Sequence, residues 1–219
     1  MRQHATYNPP CVTELDILSQ DESLLVVNKP AGLLAVPGRG ADKSDSMISR
    51  VREKYPDALV VHRLDMDTSG LMLIARGAEM HRHLSGLFRE RRVMKRYIAM
   101  VAGRIGSNAG EVELPLTVDW PNRPRQKVDF ISGKPSLTRY RVSVDGTGRA
   151  AATRVELEPV TGRTHQLRLH MAAIGYPIMG DALYGQQNRG ERLMLHASKL
   201  AFNHPRSGNR IEVTSAAPF

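Results

Sequence analysis

At 219 residues, 41% of them hydrophobic and 24% charged, the chain has the length and composition of one globular domain, or one domain with a small lobe, and extended disorder is excluded. Its 31 Lys and Arg against 22 Asp and Glu give a formal net charge of +9 and a pI near 10.0, which favours a polyanionic partner such as RNA, DNA or anionic lipid. The single cysteine, Cys11, excludes an intrachain disulfide, the polar start MRQHATYNPP is no secretory signal, and no apolar run approaches the ~18 residues that suggest a membrane span.

Lipid is thereby disfavoured and a cytoplasmic nucleic-acid partner favoured. Along the chain, residues 1–14 read as a loose arm, since Pro9 and Pro10 discourage regular structure. LLVVNKP (24–30) reads as a short buried strand ended by Pro30, and AGLLAVPGRG (31–40) as a loop. A helix is predicted over 44–55, stopped before Pro56. LVVHRLD (59–65) starts as a strand and GLMLIAR (70–76) is another; the polar segment between them holds Asp65, Asp67, Thr68 and Ser69. A polar loop between apolar strands is a good place for a site on a rigid scaffold.

An amphipathic helix with a basic end is predicted over 78–92, then a strand at 96–103. DWPNRPRQKVDF (119–130) reads as a Pro-rich basic loop, and strands follow at 137–144 and 150–158. THQLRLHMAAIG (164–175) reads as a helix with Leu167, His170, Met171 and Ile174 on one stripe, and final strands are predicted at 193–202 and 211–214. Clustered strands with few helices indicate α+β with a mixed, mostly antiparallel central sheet rather than a doubly wound fold.

Several chemistries are excluded by spacing. DTSG (67–70) lacks the second carboxylate segment of an aspartic protease, and no G-x-S-x-G elbow occurs. His165 and His170 are five apart, His81 and His83 two apart, and no Cys pair exists, so a zinc site is not expected. Neither a P-loop nor G-x-G-x-x-G is present. Asp65, beside His62 and Arg63, can serve as an ionised nucleophile or base, or simply cap its own loop. Arg168 falls off the helical stripe and faces a site or solvent. Tyr97 is core or a stacking platform, and Trp120 with Asn122, Arg123, Arg125 and Lys127 is an RNA-backbone contact or a solvated loop.

Taken together, HRLDMDTSG (62–70), KRY (95–97), GRTHQLRLH (162–170), GDALYG (180–185) and LMLHA (193–197) resemble the RluA family of pseudouridine synthases, in the family's order. YNPP (7–10), DWPNRPRQKV (119–128) and SGKP (132–135) resemble its short members, which lack an S4 RNA-binding domain. The resemblance implies the pseudouridine synthase fold in a single catalytic domain, 15–219, behind the arm 1–14. It implies isomerisation of uridine in a 23S ribosomal RNA hairpin and in the anticodon stem-loop of transfer RNAs. Asp65 would be the catalytic carboxylate, Arg168 its partner, and Tyr97 the residue stacked on uracil. Arg63 would fill the space left by the flipped base. His62, Thr68 and Leu169 would line the substrate, with His62, Thr68 and Ser69 shaping the loop. No metal or cofactor is expected, and a monomer is. The rival readings are a non-catalytic RNA-binding or ribosome-assembly module on the same fold and a nucleosidase or glycosidase. The second would want a second carboxylate at ~5–10 Å.

Overall fold

The computed structural model describes residues 7–11, 14–143, 152–185 and 192–219. Its chain divides into two compact units, Met1–Val93 with Ala201–Ser215, and Met94–Leu200 with Ala216–Phe219. Residues 1–6, 12 and 13 of the predicted arm, the last of the strand predicted at 137–144 and the first two of the strand predicted at 150–158 lie outside the described residues.

The first unit is built on two strands that are apolar along nearly their whole length. β2 (Leu24–Lys29) buries Leu24, Leu25, Val26 and Val27 completely, and β4 (Ser69–Arg76) is buried from Ser69 to Ala75. Near-continuous apolar runs of this kind mark strands covered on both faces. They pair antiparallel from Leu24↔Ala75 to Lys29↔Gly70, a register that sets Lys29 against the start of β4. β1 (Ile17–Gln20) pairs with β2, and β3 (Ala58–Val60) with β4. Helix α1 (Met47–Lys54) is capped by Ser46, whose hydroxyl accepts from the Ser49 amide, and buries Met47, Ile48 and Val51. Helix α2 (Gly77–Arg89) packs Met80, Leu84 and Leu87 inward, against β3 and β4.

The arm is docked rather than loose where it is described. The Tyr7 hydroxyl donates to Asp45 O at 3.1 Å and accepts from Leu34 N–H at 3.0 Å, and Arg50 Nη2 donates to Pro10 O at 2.9 Å. Pro9 and Pro10 do preclude regular structure, but side-chain bonds replace it.

In the second unit β5 (Met94–Ala102), β6 (Ala109–Glu113), β9 (Leu137–Val142) and β10 (Ala152–Pro159) form an antiparallel sheet in the order β5-β10-β9-β6. β10 alternates buried Thr153, Val155, Leu157 and Pro159 with partly exposed neighbours, the period-two pattern of a one-sided strand. Its core joins Ala99, Val101, Val155 and Leu157 to Leu167 and Met171 of α3 (Gln166–Ala173). β7 (Leu116–Val118) and β8 (Gln126–Val128) make a separate hairpin where a basic loop was expected. β11 (Leu195–Asn203) begins in the second unit and ends in the first, where β12 (Arg210–Thr214) pairs with it. Among the described residues, three α-helices and many strands, paired antiparallel within each unit, meet the α+β expectation.

Candidate active site

Asp65 stands in the loop between β3 and β4, half-buried, between exposed Arg63 and Met66. The loop backbone is closed and tethered. Thr68 N–H donates to Asp65 O at 3.2 Å, and Met66 O accepts from Gly32 N–H at 2.9 Å. Met66 O also accepts from Lys29 Nζ at 2.8 Å, and the same ammonium donates to Pro30 O at 2.8 Å and Leu33 O at 2.7 Å. Lys29 is 0% exposed, and a lysine is so deeply buried only when its donors are satisfied. Burial pulls its pKa down and the charges of Asp67 and Asp65 pull it back, leaving about 7 against the ordinary 10.5. Gly70 enters β4 at φ 110°, a conformation that favours glycine, which explains the last letter of TSG.

The other loop residues of the motif face inward. His62 stacks on Phe88 with ring centroids 4.5 Å apart, and its Nε2 accepts from Leu73 N–H at 2.8 Å. Thr68 and Ser69 are buried. These three give the loop its shape and leave Arg63 directed to solvent.

In the second unit the structure removes the solvent alternative for Arg168. The residue is 4% exposed, on a helix buried from Gln166 to Met171. Being off the apolar stripe does not mean solvated when the helix is enclosed. Its Nε donates to Asp181 Oδ2 at 2.8 Å and its Nη2 to Asp181 Oδ1 at 2.7 Å, a bidentate fork on a buried carboxylate. Asp181 Oδ1 also accepts from the amides of Leu183 and Tyr184, at 2.8 and 3.0 Å. Burial alone would push the Asp181 carboxyl up, but Arg168 and the two amides outweigh it and hold it below the usual carboxylate range. Nothing within GDALYG marks Asp181 apart from its neighbours, and Lys29 in NKP reads only as the end of a strand.

Gln166 organises the loop before α3. Its Oε1 accepts from Thr161 Oγ1 and Arg163 N–H, and its Nε2 donates to Leu137 O and Thr138 Oγ1. His165, at φ 53°, turns its Nδ1 to Tyr184 Oη at 2.9 Å. Tyr97 lies in β5 opposite Leu157, packed against the core of this unit, and Leu169 is buried in α3.

One further constellation imitates catalytic geometry. Ser23 Oγ is 3.1 Å and Asp21 Oδ2 3.2 Å from His204 Nε2. But His204 Nδ1 accepts from the amides of Arg206 and Ser207, so in the neutral ring Nε2 carries the hydrogen and cannot take a proton from Ser23. This cluster is a clamp. Among the described residues no group of three or more His, Cys, Asp or Glu is placed to hold a metal ion, and no helix is long and apolar enough to cross a membrane.

Residues 23–173 match the family model described as RNA pseudouridylate synthase. The chain is 51% identical over 209 residues to the dual-specificity RNA pseudouridine synthase RluA of Vibrio parahaemolyticus, covering 92% of this chain and 82% of that protein. It is 47% identical over 219 residues to the protein of the same name from Escherichia coli, covering 97% and 98%. Among solved structures, human RNA pseudouridylate synthase domain containing 1 superposes with a TM-score of 0.79 at 31% identity, over 97% of this chain and 87% of the human one.

Proposed function

The chain belongs to the RNA pseudouridylate synthase family, and from that premise we propose that it isomerises uridines in a 23S ribosomal RNA hairpin and in the anticodon stem-loop of transfer RNAs, with Asp65 as the catalytic carboxylate. The protein is an RNA pseudouridine synthase, an isomerase. The two RNA classes draw support from the dual specificity in the names of the Vibrio and Escherichia relatives. The observation that carries the Asp65 assignment is its loop, fixed by a buried ammonium and an inter-loop amide and lying inside the family match.

The reaction breaks the C1′–N1 bond of uridine, turns the base, joins C1′ to C5 and moves the C5 proton off the ring. Asp65 attacks C1′, adds to C6 or takes the 2′ proton, and every one of these routes calls for the ionised form. Arg168, locked by Asp181, is the guanidinium of the reaction, and Tyr97 takes the uracil face. The target base leaves its helix, and Arg63, exposed and planar, fills the gap. His62 and Thr68 support the substrate contacts by shaping the Asp65 loop, and Leu169 supports them from within α3. Because leaving and attacking atoms belong to one substrate, the chemistry calls for no redox carrier or metal. The protein acts as a cytoplasmic monomer, with residues 15–219 serving as one catalytic domain behind the arm.

The test is tritium release from RNA labelled at uridine C5, with site mapping. Asp65→Asn should abolish release while RNA affinity survives. Turnover near wild type would refute the assignment, and a mapped uridine outside both RNA classes would refute the substrates.

A further inference from the structure

Five large hydrophobic side chains are exposed among the described residues. Leu18 and Met66 are exposed by 41% and 40%, but Trp120, Phe130 and Ile131 reach 67%, 78% and 100%, all within the stretch 120–131. The same stretch carries exposed Arg123, Arg125 and Lys127, with Lys134 just beyond. Apolar tips interleaved with cations suit unpaired bases on a phosphate backbone, because rings stack while cations meet phosphates.

The display is rigid. β7 and β8 pair from Leu116↔Val128 to Val118↔Gln126, and the turn between them is closed by Asp119 N–H to Arg125 O and Asn122 N–H to Asp119 O, both 3.0 Å. The Arg123 guanidinium lies 4.4 Å from the Trp120 ring, covering one face of a residue that stays two-thirds exposed. After β8, Asp129 Oδ1 accepts from the amides of Ile131 and Ser132, at 2.9 and 3.0 Å, so Phe130 and Ile131 project from a capped turn. Gly133 completes that turn, since a Cβ there would run into Asp129 O. Preorganised rings lose little conformational entropy on binding. The hairpin is also fastened to the Arg168 site. Gln126 N–H donates to Tyr184 Oη at 2.7 Å, and the Tyr184 ring lies 5.6 Å from the Arg125 guanidinium and 5.5 Å from that of Arg168.

We propose that the β7–β8 hairpin is a base-stacking platform for unpaired nucleotides of the RNA, with Trp120 backed by Arg123 as one stacking surface and Phe130 with Ile131 as a second apolar wedge. This rests on the RNA-substrate reading above and adds a recognition element apart from the Asp65 loop.

Trp120 is the only tryptophan, so its emission reports on this surface alone. The probe is an RNA stem-loop with an unpaired loop, titrated into the full chain carrying Asp65→Asn so that no turnover intervenes. Stacking should quench the emission in step with binding measured by gel shift. Trp120→Ala, and separately Phe130→Ser with Ile131→Ser, should raise KM in the tritium-release assay about fivefold or more, the low end for base–aromatic stacking, while Trp120→Phe keeps most of the affinity. Unchanged emission at saturating RNA, or unchanged KM in both variants, would overturn the platform. Quenching that follows protein concentration without RNA would assign the patch to a second copy of the chain and overturn it equally. Failure of the wild type to release tritium would instead strike the isomerase substrates, and the emission titration would still read the platform.

Discussion

Asp181 fixes Arg168 before any RNA arrives. The pair is enclosed, so replacing the Asp181 carboxylate takes a charge-assisted, bidentate contact from a buried guanidinium, and losses of this kind run to about 3–5 kcal/mol. Asp181→Asn should therefore lower stability by about 3 kcal/mol in denaturant melts and reduce kcat more than RNA affinity. A variant as stable as wild type would contradict the burial of the fork. Lys29 makes a second case. Lys29→Met takes the donor from three carbonyls and should cost about 1–3 kcal/mol. The unfolded lysine keeps its proton up to about 10.5 and the folded one only to about 7, so between these values the unfolded chain binds more protons. Wild-type stability should thus gain a rising component with pH across that window, and Lys29→Met should lack it. Melts at pH 7 and pH 9 decide the matter, and identical pH dependence in the two proteins would refute it. Neither residue was legible beforehand. A turn aspartate and a strand-end lysine look like any others until the fold closes over them, whereas Asp65 was visible through the motif around it.

Elements were readable in proportion to the apolar surface they bury. β2, β4, α1 and α2 carry three or more apolar residues in a clear run or period, and each falls within a few residues of its expected place. β1, β6, β7 and β8 were missed. β6 (AGEVE) buries only Val112, β7 and β8 are three residues each, and β1 exposes Leu18, so hydrogen bonding to a neighbour makes them strands with little pattern to announce it. The turn that delivers Asp181 is equally silent in pattern but strict in space. Gly180 has φ 72°, and a Cβ there would run into the carbonyl of Arg192. Gly180→Ala should cost about 1–3 kcal/mol from backbone strain alone, with the collision in addition, and should lower turnover as Asp181 shifts. Calorimetry showing an unchanged melting temperature would count against this account.

For the whole chain, a net charge of +9 makes RNA binding a matter of counterion release. The log–log salt slope should be about −0.7 per phosphate contact on single strands, so five contacts would weaken binding roughly a hundredfold between ~50 and ~200 mM salt. A flat response would refute an electrostatic footprint. The His204 clamp, joined to Ser23 across 181 positions, has a different consequence. The first unit recruits Ala201–Ser215 from beyond the whole of Met94–Leu200, so its sheet waits for β12 and for the histidine to be synthesised. Domains generally fold as units while the chain emerges, and contacts distant in sequence come late. During translation the stretch bearing Asp65, although made early, therefore stays incomplete until synthesis has passed Ser215, and catalysis waits with it.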